Sequence, residues 1–161
     1  MENVNVKIEM ENGGVMTLEL YPDVAPITVE NFVNLVNEGF YDGLIFHRVI
    51  AGFMVQGGDP TGTGMGGSSN KIKGEFAVNG FENTLSHERG VISMARAQNF
   101  NSASSQFFIC HADAKFLDGQ YAAFGKVTDG IEVVDEIASM PTDSMDRPMI
   151  TQTIKSITVV E

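Results

Sequence analysis

A single cysteine, Cys110, stands in a chain of 161 residues, so neither an internal disulfide nor a cysteine-based zinc cluster can form. It falls in the apolar run 107–110, where the expected role is a small buried hydrophobe rather than a nucleophile. Basic residues are also scarce. Ten Lys+Arg against 21 Asp+Glu give a formal charge of -11, which argues against a nucleic-acid backbone or an anionic membrane as partner and favours solubility. No apolar stretch approaches the ~20 residues of a membrane span. The opening Met-Glu-Asn-Val-Asn-Val-Lys has neither a basic start nor an apolar signal core, so a cytoplasmic location is expected. The absence of any Asn-X-Ser/Thr acceptor agrees with this. Prolines number only five against 17 glycines, a balance that suits many tight turns. The remainder, 43% hydrophobic and 19% charged in 17.4 kDa, describes one soluble domain over 1–161 with a core that needs no staples.

Val4, Val6, Ile8 and Met10 alternate with polar residues, and Asn12-Gly13-Gly14 turns the chain into a second alternating run, 15–20, which predicts a β-hairpin. Pro26 followed by Val29, Phe32, Val33 and Val36 gives helical spacing that stops before Gly39, a helix with proline in its first turn and a glycine C-cap. Strands are expected at 44–50, 53–56, 90–95, 106–110, 121–127 and 153–160. Asp129 with Glu132 reads as a capping box opening a second helix whose stripe is Ile131, Val134 and Ile137. Phe116-Leu117-Asp118-Gly119 reads as a turn carrying an exposed or half-exposed aromatic. Short strands, two separate helices and no βαβ rhythm predict a mostly antiparallel sheet closed into a barrel.

The stretch 46–58, Phe-His-Arg-Val-Ile-Ala-Gly-Phe-Met-Val-Gln-Gly-Gly, sets an arginine and a glutamine among large apolar side chains. A period of two places Phe46, Arg48 and Ile50 on one face, Phe53 and Val55 on one side of the next run and Met54 and Gln56 on the other, with a bend at Gly52 able to redirect either set. A partly buried edge hairpin with a snorkelling arginine accounts for this stretch as well as a binding site does. Gly62-Thr-Gly-Met-Gly-Gly67 matches G-x-G-x-x-G, but Asp59-Pro60 precedes it and Ser68-Ser69-Asn70-Lys71 follows where a helix would have to open, so a dinucleotide site is rejected. His47, His87 and His111 are far apart and lack metal-ligand spacing, so no metal is expected. Adjacent Ser86, His87 and Glu88 cannot line up as nucleophile, base and orienting acid. What remains is Arg48, Phe53, Met54, Gln56, Gln106, Phe108 and Phe116, a set suited to a pocket for an apolar peptide side chain held by a few polar groups that read the backbone.

Those residues, in order with Ile92-Ser-Met-Ala95, Ser105-Gln-Phe-Phe-Ile109, Phe116-Leu-Asp-Gly119 and Phe124-Gly-Lys-Val127, resemble the cyclophilin family of peptidyl-prolyl cis-trans isomerases over nearly the whole chain. The glycine-rich 59–67 segment is similar to that of short bacterial-type members. The resemblance implies a mainly β fold, a closed eight-stranded antiparallel β-barrel capped by two α-helices, with the active face outside. It implies an isomerase of X-Pro bonds acting in protein folding on proline-containing peptides and on unfolded or folding proteins, without a cofactor and as a monomer; a proline-peptide binding module with little turnover is the alternative. Arg48 corresponds to the family's catalytic arginine and Gln56 to the glutamine that orients it. Phe53, Met54 and Phe108 line the proline pocket with Leu117 on its wall, Ala95, Ala97 and Gln106 contact the peptide, and a backbone donor near 95–97 is expected to hold its carbonyl. Gly64 and Met65 border the pocket for the preceding residue.

Four departures bear on substrate preference. Phe116 stands where many members have tryptophan and Tyr121 where they have histidine, Ala51 replaces a proline, and the loop 98–105 is one residue longer, which leaves Asn101 without a firm counterpart. Weak binding of cyclosporin is therefore expected.

Overall fold

The computed structural model describes residues 2–160; the two ends of the expected domain, Met1 and Glu161, lie outside the described residues. Eight strands, β1 (Val4–Met10), β2 (Val15–Leu20), β3 (Phe46–Ile50), β4 (Met54–Gly57), β5 (Val91–Met94), β6 (Phe107–Cys110), β7 (Ala123–Asp129) and β8 (Ile154–Val160), form one antiparallel sheet in the order β3-β4-β6-β5-β7-β2-β1-β8. Helices α1 (Pro26–Asn37) and α2 (Ile131–Ala138) complete it.

The first hairpin forms as its alternation demands. Val6 pairs with Leu18 and Ile8 with Met16, and all four are fully buried. In α1 the buried face is Val29, Phe32, Leu35 and Val36, and the helix ends where Gly39 takes a φ of 72° and donates its N–H to the Val36 carbonyl at 3.0 Å. The other end is held from a distance. Buried Glu75 accepts hydrogen bonds from the Thr28 N–H and hydroxyl, each at 2.7 Å, and from the Ile27 N–H at 3.2 Å, supplying the acceptor that unpaired N–H groups and the positive end of a helix dipole require. The core runs between sheet and helices and is centred on Phe32, with Tyr41, Phe107 and Phe124 at ring-centroid distances of 5.1 to 5.7 Å.

Three sequence expectations are corrected. The capping box of α2 does not form: Asp129 ends β7, and Gly130, in a left-handed conformation with a φ of 84°, is the N-cap with no side-chain cap. The barrel is not closed by a continuous ladder. β3 and β8 are the two edges of an open, curled sheet and meet only at a bridge between Ile45 and Thr153 and the backbone bonds around it. Beyond it the β3 edge is occupied by the loop after α2, whose Asp146 carbonyl accepts the Val49 N–H at 2.8 Å, so β8 has no access to it. Finally, Phe46 and Arg48 do not share a face. Phe46 pairs with Gly57 and Arg48 with Gln56, two residues against one, so His47 is the extra residue of a β-bulge. The bulge leaves the Phe46 ring in the core, 5.9 Å from that of Phe107, and turns Arg48 to the outer surface.

Candidate active site on the outer face of the sheet

Cross-strand register assembles the site. On the outer face Arg48 lies opposite Gln56, Gln56 opposite Phe108 and Phe108 opposite Ser93. Beneath them a second apolar cluster, separate from the main core, consists of Met54, Phe108, Cys110, Ala114 and Leu117, with Ile50, Phe53, Ala95 and Tyr121 packed against it. This explains why β5 and β6 are buried on both faces. Burial pushes the Cys110 thiol up to about 12, which makes it a hydrophobe and not a nucleophile.

Over this cluster opens a cavity of about 130 Å³ lined by Arg48, Phe53, Met54, Gln56, Ala95, Arg96, Phe108, Leu117 and Tyr121. It shares Gln56, Ala95 and Arg96 with a neighbour of about 280 Å³, which the glycine loop, Met65, Lys71, Ala97 and Gln106 enclose from the other side. The structure thus brings together every site residue expected from the sequence except Phe116, which stands outside both linings, 68% exposed, with its ring 5.6 Å from that of Phe53. Asn101 is not part of either lining: its side-chain oxygen accepts hydrogen bonds from the Gly74 N–H and the Asn79 amide.

A chain of amides holds the arginine. Arg48 Nη1 donates to Gln56 Oε1 at 3.4 Å, Gln56 Nε2 donates to Gln106 Oε1 at 2.9 Å, and Gln106 Nε2 donates to the carbonyls of Gly64 at 3.0 Å and Gly66 at 2.8 Å. The glycine loop is fixed in turn by Asp59. Its buried carboxylate accepts from the Thr61 N–H and hydroxyl and from the N–H groups of Thr63, Gly64 and Gly66. Burial alone would raise this carboxyl; the hydrogen bonds from Thr61, Gly66 and Gly64 outweigh it and hold it at about 2. Within the G-x-G-x-x-G segment the N–H groups of Thr63, Gly64 and Gly66 are therefore taken by the chain's own carboxylate, and no helix follows, so the segment does not present free N–H groups at a helix N-terminus as a pyrophosphate site requires. Gly58, with a φ of 91°, permits the loop to leave β4 here, since a Cβ would lie 2.6 Å from the Ser105 carbonyl.

The donor expected near 95–97 is not supplied by either alanine. The Ala95 N–H is bonded to the Gln106 carbonyl and the Ala97 N–H to the Ser102 hydroxyl.

Two features escape a residue-by-residue reading of the sequence. Arg96 closes the wall between the cavities. Its guanidinium lies 4.5 Å from the ring centroid of Tyr121 and 5.0 Å from those of Phe76 and Phe100, and it donates to the Gln120, Ala97 and Gln98 carbonyls. Its place between Ala95 and Ala97 was the available signal. The second is a relay under the pocket floor. Buried His87 stacks on Phe108, with Nδ1 2.8 Å from Asp118 Oδ1 and Nε2 2.9 Å from Ser93 Oγ. These are triad residue types in triad order, but Ser93 is completely buried and no substrate reaches its hydroxyl, so the relay is a brace for the Phe108 ring. Burial lowers the His87 pKa more than Asp118 raises it, and the ring stays neutral at pH 7. Among the described residues no group of three His, Cys, Asp or Glu side chains is arranged to hold a metal ion.

Known proteins share this chain's sequence and fold. The family profile described as cyclophilin type peptidyl-prolyl cis-trans isomerase matches residues 5–159. The chain is 46% identical over 146 residues to the peptidyl-prolyl cis-trans isomerase ppi1 of Schizosaccharomyces pombe, covering 90% of this chain and 92% of that one. It is 48% identical over 130 residues to the peptidyl-prolyl cis-trans isomerase B of Bacillus subtilis, covering 81% and 87%. In structure it is similar to a cyclophilin type peptidyl-prolyl cis-trans isomerase of Cryptosporidium parvum, with a TM-score of 0.91, 35% identity and 99% of each chain covered. The same protein crystallised in the presence of the dipeptide Ala-Pro gives a TM-score of 0.89 at 36% identity, covering 98% of this chain and 99% of that one. On sequence and structure alike, this chain belongs to the cyclophilin-type peptidyl-prolyl cis-trans isomerase family.

Proposed function

We propose that this chain accelerates the cis-trans isomerisation of X-Pro bonds by holding the proline ring in the 130 Å³ cavity and presenting the Arg48 guanidinium to the twisting amide. The observation that carries this reading is the guanidinium held by Gln56, which Gln106 anchors in turn, at the rim of an apolar pocket. Rotation about a peptide bond meets a barrier of ~18 to 20 kcal/mol because the bond has partial double-bond character. The two isomers of X-Pro differ by only about 0.5 to 1 kcal/mol, so the catalyst has only to lower the barrier and no covalent step is needed. As the amide twists, resonance is lost and the lone pair localises on nitrogen. A fixed cation aimed at that nitrogen binds the twisted state better than the planar one, which is the condition for raising kcat.

Arg48 is permanently charged, and Phe53, Met54 and Phe108 exclude water from its inner side. Leu117 and Tyr121 complete the wall, Ala95, Ala97 and Gln106 face the peptide on either side of the ring, and Gly64 and Met65 border the pocket for the preceding residue. In this reading the chain is a cytoplasmic monomer acting on proline-containing peptides and folding proteins, and it binds cyclosporin weakly. A protease-coupled isomerisation assay on a short X-Pro peptide tests the proposal: acceleration that disappears in Arg48→Ala while circular dichroism stays native supports it. Peptide binding without acceleration would reduce the chain to a proline-binding module.

A further inference from the structure

The two joined cavities carry charge of one sign only. On a chain of formal charge -11, their charged lining residues are Arg48, Arg96 and Lys71, with no Asp or Glu among them. From this we infer that, within the isomerase reading on which the inference rests, the larger cavity selects an acidic side chain on the residue preceding the X-Pro pair, with Lys71 and Arg96 as the residues that determine this preference.

The two cations differ in how they are held. Arg96 is locked among three aromatic rings and several backbone carbonyls, and no carboxylate of the described residues bonds it, so it lines both cavities as a cation without a counter-ion. Lys71 is exposed and engages no hydrogen bond, ion pair or ring among the described residues. Its long side chain is free to follow an anionic group of either Asp or Glu length. Two buried carboxylates lie behind the walls, Asp59 under the glycine loop and Glu75 beside Phe76. Each is turned onto N–H and hydroxyl donors of its own surroundings, and neither lines a cavity. A concave site walled by one sign of charge concentrates ligands of the other sign, and like charge is rejected by the same field. Of the serines in the lining, Ser68 and Ser104 offer hydroxyl donors to a carboxylate, whereas the Ser102 hydroxyl is spent on the Asn99 carbonyl and the Gln106 amide on the Gly64 and Gly66 carbonyls.

The test uses acetylated, amidated peptides of the pattern Xaa-Ala-Pro-Phe with glutamate, glutamine or lysine at Xaa. Dissociation constants and cis-trans exchange rates are measured by NMR in the same samples, at low and at high salt. The expected result is tighter binding of the glutamate than of the lysine peptide by about fivefold at low salt, near the upper range for an exposed ion pair, with glutamine between. The gap should close at high salt. In Lys71→Glu the preference should vanish or invert, and in Arg96→Lys, which keeps the charge, it should persist. Taking the ratio of two peptides within each variant removes any loss of folded protein from the comparison. Equal affinity for the glutamate and lysine peptides, or a preference indifferent to salt and to Lys71→Glu, overturns the inference. Absence of accelerated exchange with every peptide would instead refute the isomerase reading, while the affinity ratio still decides the charge preference.

Discussion

Replacing Gln56 by leucine tests whether the amide chain serves catalysis or only packing. Leucine nearly matches glutamine in size, so the half-buried site stays filled while two contacts are lost: the 3.4 Å acceptor for Arg48 and the 2.9 Å donor to Gln106. A preorganised donor at a transition state is worth at least ~2 kcal/mol, so Arg48→Ala should lower kcat/KM by about 30-fold or more. Gln56 holds that donor through one long hydrogen bond at a partly exposed position, the weak end of such bonds at ~1 kcal/mol, so Gln56→Leu should cost about fivefold. If glutamine acts only by aiming the arginine, the double variant should be no slower than Arg48→Ala alone, because nothing is left to aim. The assay is kcat/KM on one X-Pro peptide for wild type, both single variants and the double variant, with a thermal melt of each as fold control. Additive losses would refute the reasoning, since they would mean that Gln56 contributes by a route that does not pass through Arg48.

Asp59→Asn should cost roughly 2 kcal/mol of stability, the value of a carboxyl displaced from 3.8 to about 2, measured by urea denaturation. The Asp59 contribution is present above pH 3.8 and lost as pH falls toward 2, so the variant's deficit should shrink over that window. Burial lowers the pKa values of both His47 and His87, so the unfolded chain takes up protons first and melting temperature should fall on acidification below about 6.5. Activity should not follow: kcat/KM should stay nearly flat between about pH 6 and 8, and a bell-shaped profile abolished by His47→Gln would contradict the mechanism. Phe116→Trp should strengthen inhibition by cyclosporin, since it adds an indole donor worth roughly 0.5 to 1.5 kcal/mol on an exposed rim, with kcat/KM changed little; equal inhibition constants for the two proteins would rule out this position as the determinant.

Local rules read well wherever neighbouring residues decide the structure. The β1–β2 hairpin and the Gly39 end of α1 depend on side-chain alternation, helical spacing and a glycine's conformational freedom, all visible within about ten residues. The pocket lining was legible only in part: one arginine and two glutamines among aromatics suited a peptide pocket, but an edge hairpin explained residues 46–58 equally well, and the individual residue roles rested on the family resemblance. What stayed hidden depends on distant partners. The bulge at His47 is a mismatch between two strands, and neither strand alone contains it. Glu75 lies 47 residues from the Thr28 hydroxyl it binds, so nothing near α1 announces its cap. Asp129 has the right residue type for a cap, but β7 continues through it in the ladder with Thr17, and pairing with β2 prevails over the local preference.

The hidden elements are also the ones that fix the chemistry. Alternation alone would bury Arg48 beside Phe46, where a desolvated guanidinium is costly; the bulge places it on the outer face. Register then sets Gln56 opposite it, Gln106 on the adjoining strand side anchors Gln56, and the glycine loop anchors Gln106 through two carbonyls. The loop keeps its shape because Asp59 gathers its N–H groups. Every member of this chain is an amide, a backbone group, an arginine or a carboxylate held at about 2, and none changes charge near neutrality. His47 is next to Arg48 in sequence yet buried with its Nδ1 unbonded and outside the chain of contacts that aims the arginine. The arginine's orientation is therefore set before substrate arrives and does not depend on protonation in the physiological range, as a reaction without proton transfer requires.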